Sequence, residues 1–144
     1  MSGREVLDSP TEWVADHIHR YVKSGGVDGH MWRGVPTLLL TTVGRRTGIG
    51  RRTALIYGTD GDDYIIVASK GGHSSHPLWF VNLVVEPIVD VQVGSEVFAA
   101  CASVIADESR YRWLWAQMVS IWPGFDEYKD KTARVIPLVA LTPR

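Results

Sequence analysis

The sequence predicts an α+β fold: a small, mostly antiparallel barrel, closed or split, of about six strands with an N-terminal helix and two to three further helices. Three observations predict it. Short turns at Asp60-Gly61 and Gly94-Ser95 join neighbouring apolar runs, which implies hairpins and therefore antiparallel pairing. Val89-Asp90-Val91-Gln92-Val93 alternates apolar and polar side chains, as a strand with one buried face does. Trp13–Val22 and Tyr111–Trp122 instead repeat apolar residues at helical spacing. A chain of 144 residues can bury one real core and is too short for two comfortable ones, so a single domain over 1–144 is expected, with 1–30 as its helical N-terminal segment.

In order, Ser9-Pro10-Thr11-Glu12 reads as a helix start, with Ser9 as cap, Pro10 at the first helical position and Glu12 completing a capping box. Trp13, Val14, His17, Ile18, Tyr21 and Val22 form the apolar face, which Gly25-Gly26 ends. Glu12, Asp16, Arg20 and Lys23 balance the polar face, so the helix is expected to pack on the domain; membrane contact is left open. Residues 27–36 read as an irregular connection. Strands follow at Thr37–Val43, Thr53–Gly58 and Tyr64–Ala68, the last two joined at Asp60-Gly61. Pro77 opens a short helix, Leu78–Glu86, closed by Pro87. Val89–Val93 and Val97–Ile105 make a second hairpin, and Asp107 or a neighbour caps a helix whose stripe is Tyr111, Leu114, Trp115, Met118, Val119 and Trp122. Its charged residues Glu108, Arg110 and Arg112 are read as facing away. A helical piece near Asp126–Lys131 and a strand over Ile136–Leu141 close the chain.

Composition narrows the function. The opening MSGREVLDSP has no signal-peptide core and no apolar run approaches the roughly 20 residues of a membrane span, so a cytoplasmic protein is expected. A net charge of −1, with no basic face beyond one loop, speaks against nucleic acid. Cys101 is the only cysteine; it excludes an internal disulfide and is read as a buried, inert thiol. His73 and His76 lack further ligands at suitable spacing, so no metal site is expected. Dinucleotide, phosphate-loop and nucleophile-elbow signatures are absent.

What remains is basic and glycine-bearing. Val43–Thr53, VGRRTGIGRRT, carries Arg45, Arg46, Arg51 and Arg52, and no acidic residue falls between Asp28 and Asp60. It reads either as a solvated hairpin tip or as a grip for a phosphate- or carboxylate-bearing anion, which guanidinium forks hold bidentately. Ser69-Lys70-Gly71-Gly72 ends the third strand and offers an ammonium with free backbone N–H groups. Antiparallel pairing through the Asp60-Gly61 hairpin opens both turns on one end of the sheet. Converged cations with nearby tryptophans suit a large flat cofactor with an anionic tail.

TTVGRRTGIGRRTALIYGTDGDDYIIVASKGG, then HPLWFVNLVVEP, DVQVG and WPGFDEYKDKTARVIPLVALTP, resemble the deazaflavin-dependent nitroreductase and quinone reductase family of actinobacteria. The resemblance implies a split β-barrel of the FMN-binding type and coenzyme F420, an 8-hydroxy-5-deazaflavin, as cofactor. It implies hydride transfer to a planar electron-poor acceptor, quinone-like or nitroaromatic. Arg45, Arg46, Thr47 and Arg51 match the loop that holds the cofactor's tail; Ser69, Lys70 and Gly71 match a contacting turn, and Asn82 a side chain beside it. Ser69, Trp79, Phe125 and Tyr128 match positions around the substrate, with Trp13 a looser match. Tyr128, or Ser69, is the expected donor of a hydrogen bond or proton to the acceptor. From the residues alone, Trp79 reads equally as a core aromatic and Tyr128 as a surface one. Ile56, Trp122 and Phe125 stand where the family's nitroreductase carries tyrosine; the missing hydroxyls favour a quinone-like acceptor. Alternatives are an FMN-dependent reductase or oxidase on the same barrel, or a non-catalytic cofactor-binding protein. Oligomeric state is left open.

Overall fold

The computed structural model describes residues 5–144. Met1 to Arg4, within both the stretch read as lacking a signal peptide and the expected helical segment, lie outside the described residues. Among the described residues the fold is mixed α+β, with four α-helices and a nine-stranded sheet. The elements run β1 (Val6–Asp8), α1 (Glu12–Ser24), β2 (Met31–Trp32), β3 (Val35–Val43), β4 (Gly50–Ile56), β5 (Gly58–Asp60) and β6 (Asp63–Val67). After a 3-10 turn at Lys70–Gly72 come α2 (Leu78–Val85), β7 (Ile88–Val93), β8 (Glu96–Val104), α3 (Glu108–Ile121), α4 (Gly124–Asp130) and β9 (Leu138–Pro143). The sheet order is β1-β4-β3-β7-β8-β9-β6-β5, with β2 paired to β3.

Nine strands replace the expected six, and one pairing is parallel. β1 lies parallel to β4, Val6 opposite Gly50, inside the segment expected to be helical. β1, β2 and β5 have three, two and three residues, too few to show a periodicity, and only their partners make them strands. β2 also interrupts the stretch read as irregular. The expected arginine loop is a true hairpin connection, with Val43 opposite Gly50 and β3 antiparallel to β4. The β7–β8 hairpin forms as its turn requires. The Asp60-Gly61 turn joins only the short β5 to β6: the expected strand Thr53–Gly58 breaks at Tyr57, and its main part, β4, pairs with β3 and β1 instead of β6.

β3, β6 and β9 read as continuous apolar runs because both of their faces are buried. Leu38 and Leu40, Ile66, and Val139 and Leu141 enter one core with Phe80 and Leu83 of α2. Ile65 and Val67, with Leu138 and Ala140, turn the other way onto Leu114, Trp115, Met118 and Phe125 of α3 and α4. Leu39 meets Ile18 and Tyr21 of α1. Gly58 permits the close contact of α3, since a Cβ there would lie 2.7 Å from the Met118 sulfur.

Four local expectations are corrected. Thr11, not Ser9, occupies the α1 cap position, and the Ser9 hydroxyl accepts the Thr11 N–H at 3.2 Å without forming a capping box. The buried stripe of α1 is His17, Ile18 and Tyr21, while Trp13 and Val22 are exposed. Cys101 is exposed, because the alternation of β8 sends Ala100 and Ala102 inward and Cys101 outward. Arg110 does not face away: it reaches Asp60 at 3.1 Å and Asp63 at 3.2 Å, closing the acidic β5–β6 turn against α3. Asp107 caps α3 as expected, accepting the Arg110 N–H at 3.0 Å.

Candidate active site

A cavity of about 570 Å³ opens between β4, α1, α2, α4 and the turn after β6. Thr53–Ile56 form its floor, and Ser69, Lys70 and Gly71 line one edge. Trp13, Trp32, Trp79, Trp122, Phe125 and Tyr128 supply an aromatic wall. Trp13 stacks on Trp32 at 5.9 Å between ring centroids, and Trp32 meets Trp122 at 5.3 Å, so three elements contribute one ladder of indoles. Such a wall offers flat polarisable surface to a flat ligand.

The turn is strained where it borders the cavity. Lys70 holds φ +47°, Gly71 +61° and Gly72 +81°, three left-handed residues in a row. Glycine accepts that conformation; a lysine does so at a cost of about 1–2 kcal/mol. Gly72 is also a contact point, because a Cβ there would sit 2.6 Å from the Tyr128 carbonyl oxygen. The turn carrying Lys70 and the helix carrying Phe125 and Tyr128 are thus packed backbone to backbone.

Arg134 fixes this arrangement from below. Its guanidinium donates to the carbonyls of Ser69 at 2.6 Å, His73 at 2.8 Å and Ala68 at 3.1 Å, and meets His76 Nδ1 at 3.2 Å. Burial lowers its basicity from the ordinary guanidinium value. Above the turn, the Lys70 ammonium reaches the Ser75 hydroxyl at 3.3 Å.

The arginine loop stands apart from the cavity lining but is tied to it. Asn82, buried on the otherwise apolar α2, accepts from the Arg45 N–H and guanidinium and donates to Thr42 Oγ1 at 3.2 Å. The same helix begins at Pro77 and Trp79 on the cavity wall. Arg45, Arg46, Thr47 and Arg51 are exposed, and among the described residues none of the three arginines has a carboxylate partner. Arg52 differs, pairing with Asp8 of β1 at 2.6 Å.

Ser69, Lys70, Gly71, Trp13, Trp79, Phe125 and Tyr128 therefore meet at one cavity, while Arg45, Arg46, Thr47, Arg51 and Asn82 lie outside its lining. Sequence reasoning missed Trp32, His17 and Arg134. Trp32 sits in a two-residue strand with no periodic signal, and Arg134 looks like any solvated loop cation. Helical spacing assigns His17 only to the apolar face of α1; it also lines the cavity, with Nε2 donating to the Gly29 carbonyl at 2.7 Å. Trp122, expected in the α3 stripe, ends the helix and turns to the cavity, its Nε1 at 3.4 Å from the Tyr128 hydroxyl.

The donor set fits a ring system with a polyanionic tail: apolar walls for the ring, then Lys70 and three arginines that have no carboxylate partner among the described residues. Residues 13–143 match the family described as F420H(2)-dependent quinone reductase. An F420H(2)-dependent quinone reductase of Mycobacterium tuberculosis is 40% identical over 132 residues, 89% of this chain and 88% of the relative. A solved F420-H2 dependent reductase (FDR-A) is 31% identical, with TM-score 0.66, over 96% of this chain and 99% of that one. A further solved structure, described as a domain-swapped dimer, is 36% identical with TM-score 0.70, over 92% of this chain and 99% of that one. The chain belongs to the F420H(2)-dependent quinone reductase family.

Proposed function

We propose that this cavity is where the chain reduces a quinone-type acceptor with reduced coenzyme F420, and that its two basic turns hold the cofactor by its tail. The observation that carries this reading is the joining of the Ser69-Lys70-Gly71 turn and an aromatic wall in one cavity of about 570 Å³. When bound, the reduced deazaflavin supplies a hydride. The protein's part is positioning and electrostatics.

Arg45, Arg46, Arg51 and Lys70 take the tail's negative charge, with Thr47 and the Ser69 and Gly71 backbone completing the grip. Asn82 aims Arg45. Trp13, Trp79 and Phe125 wall the acceptor. Tyr128, with Ser69 as second candidate, donates a hydrogen bond or proton to the acceptor oxygen. The Trp122 indole N–H already points at the Tyr128 oxygen, which leaves the phenol proton available to donate. Phe125, Ile56 and Trp122 bring no hydroxyl to the wall, which favours quinones over nitroaromatics.

The same reading includes the wrapping of the sheet as a split barrel working as one unit over 1–144. Only Tyr57 separates β4 from β5, while β4 pairs with β3 and β5 with β6, so both arms of the sheet lead back to one kinked run. No helix among the described residues is long and apolar enough to cross a membrane. A cytoplasmic enzyme that meets a lipid-dissolved quinone would use the exposed Trp13 of α1, which also lines the cavity.

Spectral titration with oxidised coenzyme F420 and with FMN, followed by oxidation of the reduced deazaflavin by menadione, tests the proposal. Tighter binding of FMN would replace the cofactor assignment. Tight F420 binding with no oxidation by menadione or a nitroaromatic would make the chain a cofactor-binding protein without this activity.

A further inference from the structure

We propose that Arg134 is the positioning residue of the cofactor turn, fixing the flanks of its left-handed run Lys70-Gly71-Gly72 so that the donors of Ser69, Lys70 and Gly71 are presented to the anionic tail. The inference rests on the reading above that this turn grips the cofactor.

The geometry argues for it in three ways. First, the fork spans the turn. It holds the Ala68 and Ser69 carbonyls on the entering side and the His73 carbonyl on the leaving side, with His76 Nδ1 beyond. A lysine at φ +47° needs its flanks fixed by something outside the turn, and the turn's own bonds are two backbone contacts, Gly72 N–H to Ser69 and His73 N–H to Lys70. Second, Arg134 lies between α4 and β9, so the connection that follows Phe125 and Tyr128 also clasps the turn bearing Lys70. Cofactor grip and acceptor wall are registered to each other through this side chain. Third, among the described residues no carboxylate lies within ion-pair distance of the guanidinium. Carbonyl dipoles and the His76 ring face its charge, so a positive potential remains behind the anion-binding turn. A lysine would keep the charge but not the planar fork that reaches several acceptors at once.

The test is titration of Arg134→Gln, Arg134→Lys and Lys70→Ala proteins with oxidised coenzyme F420 at low and high salt, with thermal unfolding followed alongside. Arg134→Gln is expected to weaken binding by about tenfold, from the loss of charge-assisted bonds to buried carbonyls. The loss should shrink less at high salt than that of Lys70→Ala, because Arg134 is half-buried and bonded to fixed carbonyls whereas Lys70 is exposed. Arg134→Lys should restore affinity only in part. In the cofactor-free proteins, amide NMR shifts of Lys70, Gly71 and Gly72 should move in both Arg134 variants. A folded Arg134→Gln that binds like the parent overturns the proposal. So does an Arg134→Lys variant with full affinity and unmoved amide shifts, and that variant decides the matter if the glutamine form does not fold. Failure of the parent protein to bind F420 sinks the cofactor reading instead, and the amide shifts then still judge the role of Arg134 in the turn.

Discussion

Asn82 Oδ1 accepts from Arg45 twice, from its backbone N–H at 3.3 Å and from its guanidinium at 3.0 Å. One buried amide on α2 therefore fixes both the path of the arginine loop and the direction of its first cation. Its Nδ2 donates to the hydroxyl of Thr42, itself fully buried. Asn82→Ala should lower stability by about 1–3 kcal/mol, since Thr42 loses its partner away from water. It should also weaken F420 binding several-fold by freeing Arg45. Denaturant midpoints and cofactor titration measure the two effects separately.

The glycines of the Lys70 turn are not equivalent. Gly71 faces open space at φ +61°, so Gly71→Ala meets only the left-handed penalty, about 1–2 kcal/mol. Gly72, at φ +81°, would thrust a Cβ to 2.6 Å from the Tyr128 oxygen and 2.9 Å from the Lys131 Cβ. Gly72→Ala should therefore be the costlier by about 1–3 kcal/mol and should push α4 away, lowering quinone turnover as well. Equal melting temperatures for the two variants would show that the backbone contact is soft.

The parts of the fold legible in the sequence are those with a repeated pattern or a specific turn residue. The β5–β6 and β7–β8 hairpins follow from Asp60-Gly61 and Gly94-Ser95, and α3 from Asp107 and its stripe. β1 and β2 are not legible: β1 is made by pairing with distant β4, β2 by a tight hairpin with the start of β3, and two or three residues carry no period. Within the site, Lys70, Trp79 and Tyr128 were found through chemistry and resemblance, and they do share a cavity. Trp32 and Arg134 were invisible for one reason: each works by what folds against it. An indole in an irregular stretch and a loop arginine look solvated until the Trp13–Trp32–Trp122 ladder and the carbonyls of residues 68–73 surround them.

Alkaline pH should destabilise the fold through buried phenols. Burial raises Tyr21, Tyr57 and Tyr111 above the ordinary tyrosine value of 10.0. The unfolded chain then gives up these protons before the native one does, so the native advantage is intact below pH 10 and is lost as pH climbs through the raised native values. Denaturant midpoints should be flat from pH 7 to about 9 and fall above about 10. Tyr111→Phe should reduce that fall, at the cost of the bond its hydroxyl donates to the Ile136 carbonyl at 2.6 Å.

Tyr128 offers the sharpest test of the acceptor side. It lies on the cavity wall on a helix pinned to the Lys70 turn at Gly72, and its oxygen faces the Trp122 N–H at 3.4 Å. Removing only the hydroxyl keeps the ring and its edge contact with Phe125, centroids 6.1 Å apart, so the wall should stay in place. If the phenol donates to the acceptor oxygen as charge develops there, Tyr128→Phe should lower kcat with menadione by about 100-fold while leaving the F420 dissociation constant and melting temperature near the parent values. Ser69→Ala should cost less turnover, because the Ser69 carbonyl, not its hydroxyl, is what Arg134 grips. A Tyr128→Phe protein with unchanged kcat and a crippled Ser69→Ala would exchange the two roles. Full activity in both would leave the proton to arrive from solvent, with the walls contributing position alone.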